Sequence, residues 1–309
     1  MKITVIGSLN MDLVVRVERA PKGGETISGS ELRQICGGKG ANQAVAIGKL
    51  NCDVRMAGVV GDDAFGKELM ANLERNHVGT DFVHTAENTA SGTAMIVVEE
   101  NGENRIIISP GANGKVRWSD VRSAVEEIEA GDICLLQFEI PSKTVFESIR
   151  QANEKGATVV FNPAPMKPIP DEILACVNYL ITNETETEML TGIPSDTEEN
   201  IRRQSEILLA KGVSCAIITL GDKGAFYNNG SESRFVPGFE VTAVDTTGAG
   251  DAFIAGLCYG LMKQFSLEKC VSLGSVAGAI TVTRLGAQSS LPSEQEIMFF
   301  AKQAIICLD

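Results

Sequence analysis

The sequence predicts an α/β protein: a mostly parallel β-sheet covered by helices on both faces, with a small separate β-sheet. Three features say so. Short runs rich in Ile, Val and Leu alternate with amphipathic helical patterns along most of the 309 residues. Those runs lack polar/apolar alternation, as strands buried on both faces do. Two other stretches read as locally paired strands, which have no place inside a parallel sheet. At about 150 residues per domain, the length allows two domains or one large domain with an appendage.

Taken in chain order, ITVIGS (3–8) is the first strand, and CGGKGANQAVAIGKL (36–50) is a Gly-rich turn opening a helix over 40–50. VRMAGVV (54–60) is a strand, followed by an amphipathic helix over 64–76. DICLLQF (132–138), ATVVFN (157–162), NYLIT (178–182) and CAIITL (215–220) are further strands, among helices over 119–129, 142–155 and 197–211. From 251 onward the pattern is helical, over 251–264, 266–284 and 293–306. One misfit stretch is 12–30, extended through LVVRVE, a PKGG turn and ETISGS. The other is a hairpin over 92–109, where Asn101-Gly102 is a type I′ turn signal. Together they make a small sheet at the edge of the main domain, either a lid that keeps water from a reaction or a plain β-excursion. The expected organisation is a core of 1–11, 36–91 and 110–309 and a lid of 12–35 and 92–109.

Composition narrows the function. Lys and Arg number 27 against 40 Asp and Glu, a net charge of −13. That sign disfavours nucleic acid or an anionic membrane as partner, while leaving room for a small phosphorylated ligand held by a few backbone amides. Hydrophobic residues at 44% and charged ones at 22% fit a globular protein. The longest apolar candidate, VSLGSVAGAITV, falls short of the ~18 residues of a membrane span and reads as a buried helix. The eight cysteines contain no CxxC pair and mostly sit in apolar runs, which points to a reducing compartment. His77 and His84 have no metal-ligand spacing, which disfavours zinc. MKITVIGSLNMD reads as a first strand rather than a signal peptide, so the expected location is cytoplasmic.

Four segments carry candidate chemistry. In VTAVDTTGAGDAFIAGLCYGL (241–261), Gly248 and Gly250 let backbone N–H groups converge where an apolar helix starts near Asp251. Such a turn favours an anion. Asp251 could cap that helix, or act as a general base beside an anion hole. Two glycines, two threonines and a second acid at Asp245 favour the base. In CGGKGANQ, Gly37, Gly38 and Gly40 allow close backbone approach, Lys39 adds charge and Asn42 can bond a polyol; tight packing of a turn is the plain alternative. TLGDKG (219–224) is either one wall of a ligand crevice or a β-turn. NETE (183–186) fits a capping box, or an amide and a carboxylate placed near a hydrated Mg²⁺. GDDAFGKE (61–68) supplies GxxxxGK but puts Glu68 where a P-loop needs Ser or Thr, and no GxGxxG follows the first strand. A P-loop and a nicotinamide dehydrogenase are therefore both disfavoured.

Taken together, GGKGAN, NxxE at 183–186, TLGDKG and above all DTTGAGD (245–251) resemble the ribokinase (PfkB) family of carbohydrate kinases. The resemblance runs over essentially the whole chain and in the family's order. GSLNMD (7–12), ENGENRI, PGAN (110–113), QFEIP (137–141) and NPAP (162–165) are most similar to the family's ribose-phosphorylating members. The resemblance implies a Rossmann-like core with a β-sheet lid, and transfer of the ATP γ-phosphoryl group to the 5-hydroxyl of D-ribose. Siblings acting on deoxyribose, fructose or adenosine are the alternative. It implies that Asp251 is the base, within a GAGD turn (248–251) where the amides of Ala249, Gly250 and Asp251 form the anion hole. Asn10, Asp12, Gly38, Lys39, Asn42, Glu139 and Asp251 would bind the sugar. Asn183 and the loop from Thr219 through Gly221 to Gly224 would hold the nucleotide, with Gly250 and the stretch around Ser275 beside it. Glu186 would act through water on Mg²⁺. A monovalent cation, usually K⁺, would sit with Asp245, Thr247, Thr281, Arg284, Gly286 and Ser290. A homodimer joined through the lids is also implied, and small exposed sheets favour it because pairing covers their edges.

Overall fold

The computed structural model describes residues 1–101 and 103–303. Gly102 of the expected turn, Cys307 and the end of the helix expected over 293–306 lie outside the described residues. In chain order the elements are β1 (Ile3–Ile6), β2 (Asn10–Val17), β3 (Arg33–Gly37), α1 (Lys39–Lys49), β4 (Val54–Gly61), α2 (Ala64–Arg75) and β5 (Gly79–Ala86). There follow β6 (Gly92–Glu99), β7 (Asn104–Ser109), α3 (Trp118–Glu126), β8 (Ile133–Leu136), α4 (Ser142–Glu154), β9 (Thr158–Phe161) and the one-turn α5 (Asp171–Leu174). Then come β10 (Tyr179–Asn183), α6 (Glu184–Thr191), α7 (Glu198–Ala210), β11 (Cys215–Thr219), β12 (Gly224–Asn228) and β13 (Ser233–Pro237). The chain continues with α8 (Ala249–Met262), α9 (Leu267–Val282) and α10 (Glu294–Gln303).

The large sheet runs β13-β12-β11-β10-β9-β8-β1-β4-β5, parallel except for the β11–β12–β13 end. Its lack of alternation has a direct cause: both faces are covered. Ile3, Val5, Ile133 and Leu135 pack into the layer containing α1, α8 and α9, while Ile6, Cys134 and Leu136 pack into the layer of α3 and α4. From β1 the chain builds outward through β4 and β5, then returns to β8 on the other flank and continues to β11. Strand order therefore reverses at β1/β8, the position where open α/β sheets form their ligand crevice.

The second sheet has the order β3-β2-β6-β7. β2 pairs in parallel with β6 from Asn10↔Gly92 to Val17↔Glu99, and antiparallel β3 and β7 flank that pair. ETISGS, expected to be extended, is not the partner of β2; that partner is Arg33–Gly37. Pro21, Gly23, Gly24 at φ 80° and Gly29 keep the intervening segment out of a regular ladder.

Candidate active site

The chemistry-bearing segments gather where the parallel strands end. Ser8 follows β1, Gln137 and Glu139 follow β8, Asn162 follows β9, Asn183 closes β10 and Thr219 closes β11. Across the switch point the Ser8 hydroxyl donates to Glu139 Oε2 at 2.6 Å, and the Lys39 main-chain N–H donates to the same oxygen at 2.9 Å. Gly38 precedes α1 at φ 87°, and a Cβ there would stand 2.7 Å from the Asn10 nitrogen, so only glycine lets α1 start this close to β2.

Asp251 lies in the first turn of α8 and is 6% exposed. It does not cap that helix. Gly248, at φ 80°, holds the N-cap position without a side-chain bond, and both Asp251 oxygens turn to α1. Asn42 Nδ2 donates to Oδ2 at 3.0 Å and Gln43 Nε2 to Oδ1 at 2.9 Å. Burial raises the pKa of Asp251; Lys39 and the two amides oppose this, and Glu139 adds to it. Burial acts to lower the pKa of Lys39, but Asp251, Glu139 and Glu186 outweigh it and the net shift is upward. The Gly250 and Asp251 amides have no i−4 partner at this helix start, and a Cβ at Gly250 would meet nothing within 4 Å. The turn thus presents two free donors to open space, while the third expected donor, the Ala249 amide, is turned to the Thr246 carbonyl at 3.3 Å.

Asn10, Gly38, Lys39, Asn42, Glu139 and Asp251 form one buried to half-buried polar cluster. Asn10 Oδ1 accepts from Asn113 Nδ2 at 2.7 Å. Asp12, on β2, is pushed up to about 7 by burial and by the charge of Glu139. Asp12 also lines a cleft of about 950 Å³ between the second sheet and the loops around Asp245 to Thr247 and Leu285 to Ser289. A second cleft, of about 1140 Å³, is lined by Asn183, Thr219, Gly221, Gly224, Ala249, Gly250, Phe253 and Ser275. Ala243 and Thr246 line both clefts, so the start of α8 lies where they meet.

In the second cleft the Ser275 hydroxyl is buried with no partner among the described residues. TLGDKG is a turn between antiparallel β11 and β12, and that same turn forms one wall of the cleft. NETE does form a capping box: Glu186 N–H donates to Asn183 Oδ1 at 2.8 Å and Asn183 N–H to Glu186 Oε2 at 3.0 Å. One Glu186 oxygen holds the box, while its charge still reaches Lys39.

Asp245 ties two loops together. Its Oδ1 accepts from the Thr247 amide and hydroxyl at 2.9 and 2.6 Å, and its Oδ2 from the Gly286 amide at 2.9 Å. Burial works to raise its pKa, yet these bonds and Arg16 hold the carboxyl below its usual range. Arg284 turns its guanidinium to Glu296, and the Thr281 and Ser290 hydroxyls donate to the Ala277 and Ala287 carbonyls. Arg284 can therefore offer a cation only its backbone carbonyl, while Thr281 and Ser290 can offer a carbonyl or a hydroxyl oxygen.

Sequence reasoning missed Ser8, Gln43, Lys167 and Gln288. Lys167 Nζ donates to the carbonyls of Phe138 and Ile140, on either side of Glu139, at 2.5 and 3.5 Å. Gln288 Nε2 donates to Asn42 Oδ1 at 3.0 Å. A usable signal was a polar residue inside an apolar run, as in ANQAVAI, because a buried amide needs a partner.

Residues 1–294 match the family model described as pfkB family carbohydrate kinase. The chain is 41% identical over 307 residues to a ribokinase of Schizosaccharomyces pombe, covering 96% of each protein. It is 39% identical over 297 residues to a deoxyribokinase of Salmonella typhi, covering 96% of this chain and 97% of the relative. Its fold matches the structure of Arabidopsis thaliana ribokinase complexed with ribose and ATP, with a TM-score of 0.89 at 33% identity, over 97% of this chain and 98% of that one. With a family match across nearly the whole chain and relatives of matching length, the chain belongs to the pfkB family of carbohydrate kinases.

Proposed function

We propose that this kinase transfers the γ-phosphoryl group of ATP to the 5-hydroxyl of D-ribose, with Asp251 as the general base. The observation that carries the reading is Asp251 itself: a buried carboxylate at a helix start, turned away from capping, beside open backbone amides where two clefts meet. Full-length similarity to a ribokinase supports ribose as the sugar. The similarity to a deoxyribokinase, at nearly the same identity, makes deoxyribose the second reading.

Asp251 takes the proton from the sugar hydroxyl as that oxygen attacks phosphorus. The amides of Gly250 and Asp251, joined by that of Ala249 when it leaves the Thr246 carbonyl, bind the phosphoryl oxygens, where negative charge builds. Lys39 stands within the field of the same carboxylates and adds positive charge. Asn10, Asp12, Gly38, Asn42 and Glu139 supply the paired donors and acceptors that a polyol requires. The turn from Thr219 to Gly224, Asn183 and the Ser275 hydroxyl bind the nucleotide. A ligand that gives the Ser275 hydroxyl a partner removes the cost, about 1–3 kcal/mol, of leaving it unpaired.

Two cations complete this reading. Among the described residues no group of three or more His, Cys, Asp or Glu could enclose a metal, so Mg²⁺ would come with the phosphates and meet the protein through Glu186 and water. The loops joined by Asp245 offer oxygen donors only, which suits a hard monovalent cation such as K⁺. Asp245 and Thr247, with carbonyls of Thr281, Arg284, Gly286 and Ser290, would hold it. When bound, Mg²⁺ neutralises phosphate charge and K⁺ adds positive field beside the anion hole.

We further propose that the second sheet is a lid through which two copies pair in the cytoplasm. Its exposed Met95, Ile106, Ile107 and Ile108 and its open edges β3 and β7 favour a covered arrangement. Among the described residues no helix is long and apolar enough to cross a membrane.

The test is an ADP-release assay with ATP and Mg²⁺ on ribose, deoxyribose, fructose and adenosine, each with and without K⁺. Ribose-selective turnover stimulated by K⁺ is expected. Preference for deoxyribose would move the sugar assignment and leave the mechanism in place. No turnover with any of the four would overturn the reading.

A further inference from the structure

We propose that Gln43 is a positioning residue for the Asp251 carboxylate, held in its working orientation by Gln137. The inference rests on the reading of Asp251 as the base. Two relays of amides converge on that carboxylate. In one, Gln288 Nε2 donates to Asn42 Oδ1 and Asn42 Nδ2 donates to Asp251 Oδ2. In the other, Gln137 Nε2 donates to Gln43 Oε1 at 2.5 Å and Gln43 Nε2 donates to Asp251 Oδ1 at 2.9 Å. Asn42 belongs to the proposed sugar contacts. Gln43 and Gln137 are both 0% exposed, so the second relay serves the carboxylate from within the protein.

The direction of that relay follows from charge. An ionised carboxylate only accepts hydrogen bonds, so the amide beside it must present its NH₂ group. Gln43 is then left with its oxygen facing Gln137, and Gln137 must answer with its own NH₂. The far end of the relay is Gln137 Oε1, a buried oxygen with no partner among the described residues. Turning both amides over would give that oxygen's place to a donor but would put the Gln43 oxygen against the carboxylate. The observed arrangement therefore favours the ionised base at the expense of one unpaired oxygen. The charged groups facing Asp251 are Lys39 on α1 and Glu139 after β8. On α9, which packs along α8, the charged residues Glu268 and Lys269 lie in the first turn, at the end of the helix pair away from Asp251.

The prediction concerns how rate depends on pH, because losing a donor to the ionised form makes the base harder to deprotonate. The experiment compares Gln43→Met, Gln137→Met, Asp251→Asn and wild type, measuring kcat from pH 5.5 to 9.5 with the preferred sugar, the KM for ATP and the melting temperature. For Gln43→Met the acidic limb of kcat is expected to move up by about one pH unit, with about a tenfold loss at low pH that is regained at high pH. The KM for ATP should stay unchanged, and Gln137→Met should give a smaller shift in the same direction. A loss of kcat by one constant factor at every pH, or an unmoved limb, would overturn the proposal. If Gln43→Met fails to fold, Gln137→Met decides by the same criterion, since it leaves Gln43 in place. An Asp251→Asn enzyme with wild-type turnover would instead overturn the base reading. An inactive Asp251→Asn with unmoved limbs in the other two variants would remove only the role of Gln43.

Discussion

At Asp251 burial and the positive charge of Lys39 pull in opposite directions. Burial favours the protonated acid, while Lys39, Asn42 and Gln43 favour the anion; the net shift is upward. A base with a raised pKa should give a kcat that climbs with pH along a limb above the ordinary carboxylate range. Asp251→Asn should lower kcat by about 10²–10⁴-fold while leaving ATP affinity, read by calorimetry, nearly unchanged. Asp12 gives a different prediction. Its carboxyl, pushed up to about 7 by burial and then by Glu139, is more easily ionised in the unfolded chain. Stability is therefore lost as pH rises from about 4 to about 7 and is level above that. Asp12→Asn should match wild type in thermal melts near pH 4 and exceed it by about 1–2 kcal/mol at pH 8, while the KM for the sugar rises. At this scale the turn proposed to be catalytic could be picked out in the sequence, because DTTGAGD names its own glycines and acids. The amides that aim Asp251 were not, since Gln43 and Gln137 find partners only when α1 meets the end of β8.

Among the elements, the helix pair α8–α9 fixes where the anion turn sits. A Cβ at Gly256 would stand 2.5 Å from the Leu273 carbonyl oxygen, and one at Gly274 would stand 2.8 Å from that of Phe253. Gly256→Ala must push these helices apart, with an expected cost of about 1–3 kcal/mol in urea unfolding and a fall in kcat as the α8 start shifts. Strands such as Ile133–Leu136 were readable because both their faces are covered and every residue is apolar. The strands β5, β12 and β13 were not foreseen. GTDFVHTA is an edge strand that mixes polar and apolar residues and fully buries only Val83, and β12 and β13 are short strands beyond a glycine turn. Helix α6 was visible only as its capping box, because ETETEML carries little apolar periodicity and buries only Thr187.

At the scale of the whole molecule, the sequence separated the two sheets because the central strands of one are apolar and the other holds locally paired strands. What it did not reveal is that β2 and β6 pair in parallel inside the second sheet, since register between distant segments is settled by packing. The exposed apolar strip on β6 and β7 bears on assembly. Ile107→Glu should shift the expected homodimer toward monomer in light scattering at micromolar concentration, without lowering the melting temperature, since Ile107 is 64% exposed within one chain. The parallel β2–β6 pair also dictates an order of events. Its two strands are separated by β3, α1, β4, α2 and β5, so a long loop must close before the ladder forms, and its formation is expected to follow the pairing of β4 with β1. In pulse-labelled refolding the amides of Val97 and Val98 should therefore gain protection from exchange after that of Leu135, and at equilibrium they should be the first to lose it. The sheet that lines the cleft is thus the part of the molecule expected to come undone while the large parallel sheet stays folded.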